Sequence, residues 1–135
     1  MAKWLIKSEP AKYSWEMLVR DKRTLWDGVR NYQARNNMQA MEKGDFCLFY
    51  HSVTGKEIVG VAQVVSAAYP DPTTDDERWV VMDVAPYKAL KKPLSLAALR
   101  ASAQTCAMAL IKQSRLSVSP VTEKEYKAVL KMGGL

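Results

Sequence analysis

Three short apolar segments between positions 46 and 84 constrain this chain more than any other feature. Phe46–His51 reads FCLFYH, residues 58–67 read IVGVAQVVSA, and residues 79–84 read WVVMDV. Each is rich in β-branched or aromatic residues, as a half-buried or buried strand requires. Each is bounded by turn chemistry, with Thr54-Gly55 after the first and Pro70 and Pro72 after the second. Pro86 and Pro93 are expected to bracket the end of the third. Gly60, inside the second segment, marks a bulge or a close backbone approach. Lys3–Ser8 alternates in character and adds a first strand, and residues 115–118 add a last short one.

Short helices flank these strands. Ser14 is placed to cap a helix running to Asp21, with Trp15, Leu18 and Val19 on its apolar face. Residues 22–31 read as a loop around Trp26. Residues 32–41 favour helix, with Gly44 as its stop. Ser95 caps residues 96–100, and residues 107–111 form a short helix or turn. Thr122 and Glu125 make a T-x-x-E capping box that opens a helix over Glu123–Met132, with Tyr126, Val129 and Leu130 facing the core. Strands and short helices without regular βαβ alternation predict an α+β fold, a curled mixed sheet or small barrel with peripheral short helices. The whole chain, residues 1–135, fits one domain.

A formal net charge of +6 favours anionic partners, nucleic acid among them. The basic residues are spread along both halves, so a mildly basic solvated surface is the alternative. No apolar run approaches a bilayer span, and MAKWLIKSEP lacks the apolar centre of a signal peptide. A soluble, cytoplasmic monomer is expected. Cys47 and Cys106 are read as reduced, buried, independent thiols. No Cys/His spacing suits zinc, and neither a metal nor a cofactor is expected. The one histidine, His51, stands four residues after Cys47, about 13 Å along a strand and too far for a dyad. Carboxylates at Glu9, Asp27 and Asp71 do not single out a catalytic pair, and Asp75, Asp76 and Glu77 read as a solvated loop. The chain is therefore expected to bind rather than to catalyse.

The densest constellation is Trp26–Asn37, WDGVRNYQARNN. Trp26 and Tyr32 offer faces on which an unpaired base can stack, worth about 1–3 kcal/mol per base. Asn and Gln present a donor and an acceptor side by side, matching base edges. Arg30 and Arg35 suit phosphate. Gly28 allows close backbone approach. The alternative for the same residues is structural, with Trp26 plugging the core and the asparagines capping the helix that follows.

Five blocks in order resemble the EVE domain family: Trp4–Pro10, Trp26–Asn37, Phe49–Ser52, Ala68–Thr73 and Arg115–Val118. Together they span nearly the whole chain. The resemblance implies a PUA-like, strongly curved sheet or pseudo-barrel, related to YTH and ASCH domains. It also implies a partner: DNA or RNA carrying a modified base, with modified cytosine in DNA favoured. By comparison with YTH domains, Lys7 and Ser8 would border the pocket. Trp26 would form one wall of an aromatic cage, with the Asp27 backbone beside the modified group. Asn31 and Tyr32 would border the base, and Tyr50, His51 and Ser52 would lie opposite. Tyr69 and Asp71 would sit on a rim loop, with Arg115 and Ser117 on the neighbouring edge. Longer family members carry an extra segment after the P-D-P-T block. This chain has only Thr74–Glu77 there, which implies a more open site. An RNA-processing accessory is the competing reading, and a small nuclease or base hydrolase centred on His51 or Asp27 is a third.

Overall fold

The computed structural model describes residues 1–135. In chain order the elements are β1 (Lys3–Ser8), α1 (Trp15–Asp21), β2 (Thr24–Leu25), α2 (Tyr32–Ala40), β3 (Phe46–His51) and β4 (Glu57–Pro70), followed by β5 (Val80–Ser95), α3 (Leu96–Ala101), α4 (Ala109–Lys112), β6 (Val118–Val121) and α5 (Glu123–Met132). The strands form one six-stranded sheet in the order β2-β5-β4-β3-β1-β6. β1 runs parallel to β3, and every other pairing is antiparallel. The fold is α+β with a mixed sheet, as the strand and helix pattern predicts. The sheet is open: β2 and β6 are its edges and do not pair with each other. No helix is long and apolar enough to cross a membrane.

Strand alternation sorts the core into two layers. Trp4 and Ile6 of β1, with Cys47 and Phe49 of β3, pack on one side with Trp15 and Leu18 of α1 and Ala34 and Met38 of α2. Leu5, Leu48 and Tyr50 point to the other side, where they meet Leu99, Leu110, Tyr126 and Val129 of the C-terminal helices. Both faces of the sheet are thus covered. Gly60 serves both anticipated purposes. Pairing slips around it, and a Cβ there would lie 2.6 Å from the Trp15 ring.

Helix starts follow local chemistry. The side chains of Ser14, Asn31 and Ser95 accept from Met17, Ala34 and Ala98 N–H groups, and the Thr122–Glu125 capping box is complete. Val19, expected on the apolar face of α1, is exposed; Trp15 and Leu18 alone cover the short contact.

Strand ends depart from the sequence reading. β5 continues through Pro86 and Pro93 rather than ending near them. Its only neighbour besides β4 is β2, paired at Asp83 and Val84. Beyond Val84 one edge of β5 is therefore free, and a proline facing it removes no ladder bond. Pro120 is tolerated for the same reason on β6, a sheet edge, and β6 begins at Val118 instead of ending there. β2 falls inside the stretch read as a loop. Its two residues gain strand geometry only by pairing with β5. Cys106 is exposed, against expectation, whereas Cys47 is fully buried. The Cys106 segment is a run of turns between α3 and α4, with Thr105 and Met108 taking the buried places.

Candidate functional site

β1 lies next to one edge of the sheet and β2 forms the other, yet both line one cavity of about 620 Å³. That is possible only because the sheet is strongly curved. Lys7 and Ser8 come from the end of β1, and Glu9, Lys12 and Tyr13 from the turn after it. Thr24, Leu25, Trp26, Asp27 and Gly28 come from β2 and its exit. Ser52 follows β3, and Ser114, Arg115 and Ser117 lead into β6.

Backbone pairing holds these pieces together. Lys7 N–H donates to Ser117 O at 3.0 Å, Ser52 N–H to Ser8 O at 2.9 Å, and Trp26 N–H to Met82 O at 2.8 Å. The Ser8 hydroxyl donates to Tyr13 O at 2.6 Å and closes the turn after β1. Trp26 is 8% exposed and meets the Phe49 and Tyr13 rings edge-on, with centroids 5.6 and 6.3 Å away. It is both a core residue and a lining residue of the cavity. Gly28 has φ +77°, and a Cβ there would meet open space. It takes a left-handed turn and lines the cavity.

Charges of both signs line the cavity: Lys7, Lys12 and Arg115 against Glu9 and Asp27. Lys12 lies 3.5 Å from Glu9. The Lys7 ammonium donates to Ser114 O at 2.7 Å, and partial burial lowers its pKa. Asp27 and Arg115 form no side-chain hydrogen bond or ion pair within the chain. No group of three or more His, Cys, Asp and Glu side chains converges as a metal cage.

Of the residues singled out in the sequence, Lys7, Ser8, Trp26, Asp27, Ser52, Arg115 and Ser117 meet in this cavity. The others are placed elsewhere. Asn31 caps α2, its Oδ1 accepting from Ala34 N–H at 2.9 Å. Arg30 lies 3.1 Å from Asp71, whose carboxyl is fully buried and also accepts from the Thr73 N–H and hydroxyl. Burial alone would raise the Asp71 carboxyl. The Thr73 and Arg30 hydrogen bonds outweigh it and hold the group below its ordinary range. Tyr32 packs on Trp79 with centroids 5.2 Å apart, and its hydroxyl accepts from Arg78. The Arg35 guanidinium sits over the Tyr32 ring. Tyr69 donates to Asp83 at 2.6 Å. These residues build an arginine-aromatic rim beyond Gly28. Tyr50 lines a neighbouring cavity. His51 is 8% exposed, and its Nε2 accepts the Trp15 N–H at 3.0 Å.

Sequence reasoning missed Tyr13, Lys12 and Ser114. Tyr13 stands next to the Ser14 cap, and its distance from Trp26 in sequence hides their contact.

The model of the EVE domain family matches residues 2–132. The chain belongs to the EVE domain family. Human thymocyte nuclear protein 1 is 34% identical over 163 aligned positions, covering 96% of this chain and 72% of the relative. That span exceeds the 135 residues here, so the human EVE protein carries segments this chain lacks. A protein of Agrobacterium tumefaciens, solved by X-ray crystallography, is 45% identical with a TM-score of 0.97, covering all of this chain and 94% of its own. The human THYN1 protein, solved in complex with 5-methylcytosine-containing DNA, is 32% identical with a TM-score of 0.91, covering 100% of this chain and 99% of that one.

Proposed function

We propose that this EVE domain binds nucleic acid and takes one unpaired modified base, modified cytosine in DNA, into the 620 Å³ cavity. The reading rests on one conjunction. A cavity of ligand-binding size, walled by Trp26 and edged by unpaired polar groups, occurs in a chain similar along its length to a protein solved with 5-methylcytosine-containing DNA. Trp26 and Tyr13, already edge-on to each other, would together wall one side of the base. Asp27, Ser52 and Ser117 would read its edge, since a hydroxyl donates and accepts while a carboxylate accepts from an exocyclic amine; Ser8, whose proton goes to Tyr13 O, would only accept. Arg115 and Lys12 would meet phosphate. Extracting a base from a duplex costs a few kcal/mol, least where pairing is already weak.

Binding is favoured over catalysis because the Nε2 of His51 is occupied by the Trp15 N–H and offers no base to the cavity. Arg30 and Arg35, on the rim beyond Gly28, suit the nucleic-acid backbone further from the base.

RNA is the competing ligand, since the base edge read in the cavity is common to both nucleic acids. Competition between matched DNA and RNA strands at fixed salt separates them. Trp26 is a core residue, so its replacement tests folding as well as binding. Asp27→Ala is the cleaner probe, because that side chain holds nothing else. Loss of affinity for the modified strand in Asp27→Ala supports the cavity; unchanged affinity for every strand refutes it.

A further inference from the structure

Across Lys7, Ser52 and Ser114 lies a second cavity of about 520 Å³. Its charged lining residues are Lys7, Lys56 and Arg100, and no carboxylate lines it. The base cavity is different, because Glu9 and Asp27 offset its cations. None of the three cations of the second cavity takes part in an ion pair within the chain. They come from three separate places: the end of β1, the turn between β3 and β4, and α3. Leu96 N–H donates to Lys56 O at 2.9 Å, which fixes that turn against the start of α3 and brings Lys56 to the same cavity as Arg100. The turn is strained, with Val53 at φ 67° and Lys56 at φ 48°.

A second observation points the same way. Tyr50 lines this cavity, and its hydroxyl makes no hydrogen bond within the chain. That hydroxyl opens onto the cavity, so it can donate to an acceptor bound there. Three like charges and a free donor in one concave site fit an anion.

We propose that this second cavity holds the phosphodiester that flanks the base taken into the first. Lys56 and Arg100 supply charge, and the Tyr50 hydroxyl donates a hydrogen bond. This rests on reading the first cavity as a base site. A base and its flanking phosphate are covalently joined, so their sites must adjoin, and Lys7, Ser52 and Ser114 are their common wall.

The test is affinity against salt for a single-stranded oligonucleotide with one 5-methylcytosine and for its unmodified counterpart. Each phosphate neutralised on a single strand contributes about 0.7 to the slope of log affinity against log salt. The Lys56→Gln/Arg100→Gln variant is expected to lower the slope by about 0.7 and to weaken both strands by the same factor. Lys124→Gln/Lys127→Gln, two exposed cations on α5, is expected to leave the slope unchanged. Tyr50→Phe is expected to weaken binding several-fold at an unchanged slope. A Lys56/Arg100 variant that matches the Lys124/Lys127 control overturns the proposal while leaving the base site standing. Wild-type protein that binds both strands equally, with the slope still falling in the Lys56/Arg100 variant, overturns the link to a captured base and leaves only a backbone contact.

Discussion

His51 Nε2 accepts the backbone N–H of Trp15 at 3.0 Å, so the one histidine of the chain closes the first turn of α1. That N–H is among the orphan donors of a helix start, and it is buried. The bond ties the end of β3 to α1, just after the Tyr13 turn that walls the base cavity. His51→Ala is expected to cost about 1–3 kcal/mol of stability, because it strands a buried donor. The variant should still bind nucleic acid while folded. Urea denaturation together with a binding titration checks both; normal stability with lost binding would place His51 in the site instead.

The two cysteines are expected to separate in reactivity. Burial pushes the Cys47 thiol up, and the nearby Asp45 adds to it, whereas Cys106 is exposed. Thiolate is the reacting form, so a disulfide reagent should modify one thiol per chain under native conditions and two after unfolding. Two fast-reacting thiols in the native protein would contradict the placement of Cys47.

Asp71 sets an acid limit on stability. Its carboxyl is held below the ordinary 3.8 in the folded chain. The ionised form therefore contributes stability that is complete above that value and is lost as pH falls through the lower, folded value. Asp71→Asn is expected to cost about 1–3 kcal/mol at neutral pH and to make unfolding less sensitive to acid below the ordinary carboxylate value of 3.8. Urea melts at several pH values test this; parallel pH profiles for the two proteins would refute it.

Ser119 offers a gain. Its hydroxyl is buried without a hydrogen-bond partner, opposite Leu5 in the sheet. Ser119→Ala removes a desolvated polar group and is expected to raise stability by about 1 kcal/mol. A loss of similar size in thermal or urea unfolding would show that the hydroxyl has a partner.

What the sequence revealed and what it hid divide along the range of the interactions. β1, β3 and α5 are set by alternation and by a capping box, which act over a few residues. β2 and the long β5 depend on which edges are paired, and Thr24, Leu25, Pro86 and Pro93 carry no local trace of that. The same division holds at the candidate site. Within Trp26–Asn37, Trp26, Asp27 and Gly28 reach the cavity, while Asn31 spends its side chain on a helix cap and Arg30 on Asp71. Composition could not separate those uses, because capping, ion pairing and base reading draw on the same residue types. Tyr13 meets Trp26 only through the curvature that brings β2 to β1, and Ser114 joins through the pairing of β6 with β1.

The most direct measurement is the affinity of the wild-type chain for one oligonucleotide carrying cytosine or 5-methylcytosine at a single position, at fixed salt. One methyl group accommodated by fit is worth about tenfold or more. The modified strand should bind tighter by that factor, and Asp27→Ala should weaken both strands, since both bases carry the exocyclic amine. Equal affinity for the two strands would contradict modified-base recognition by this cavity.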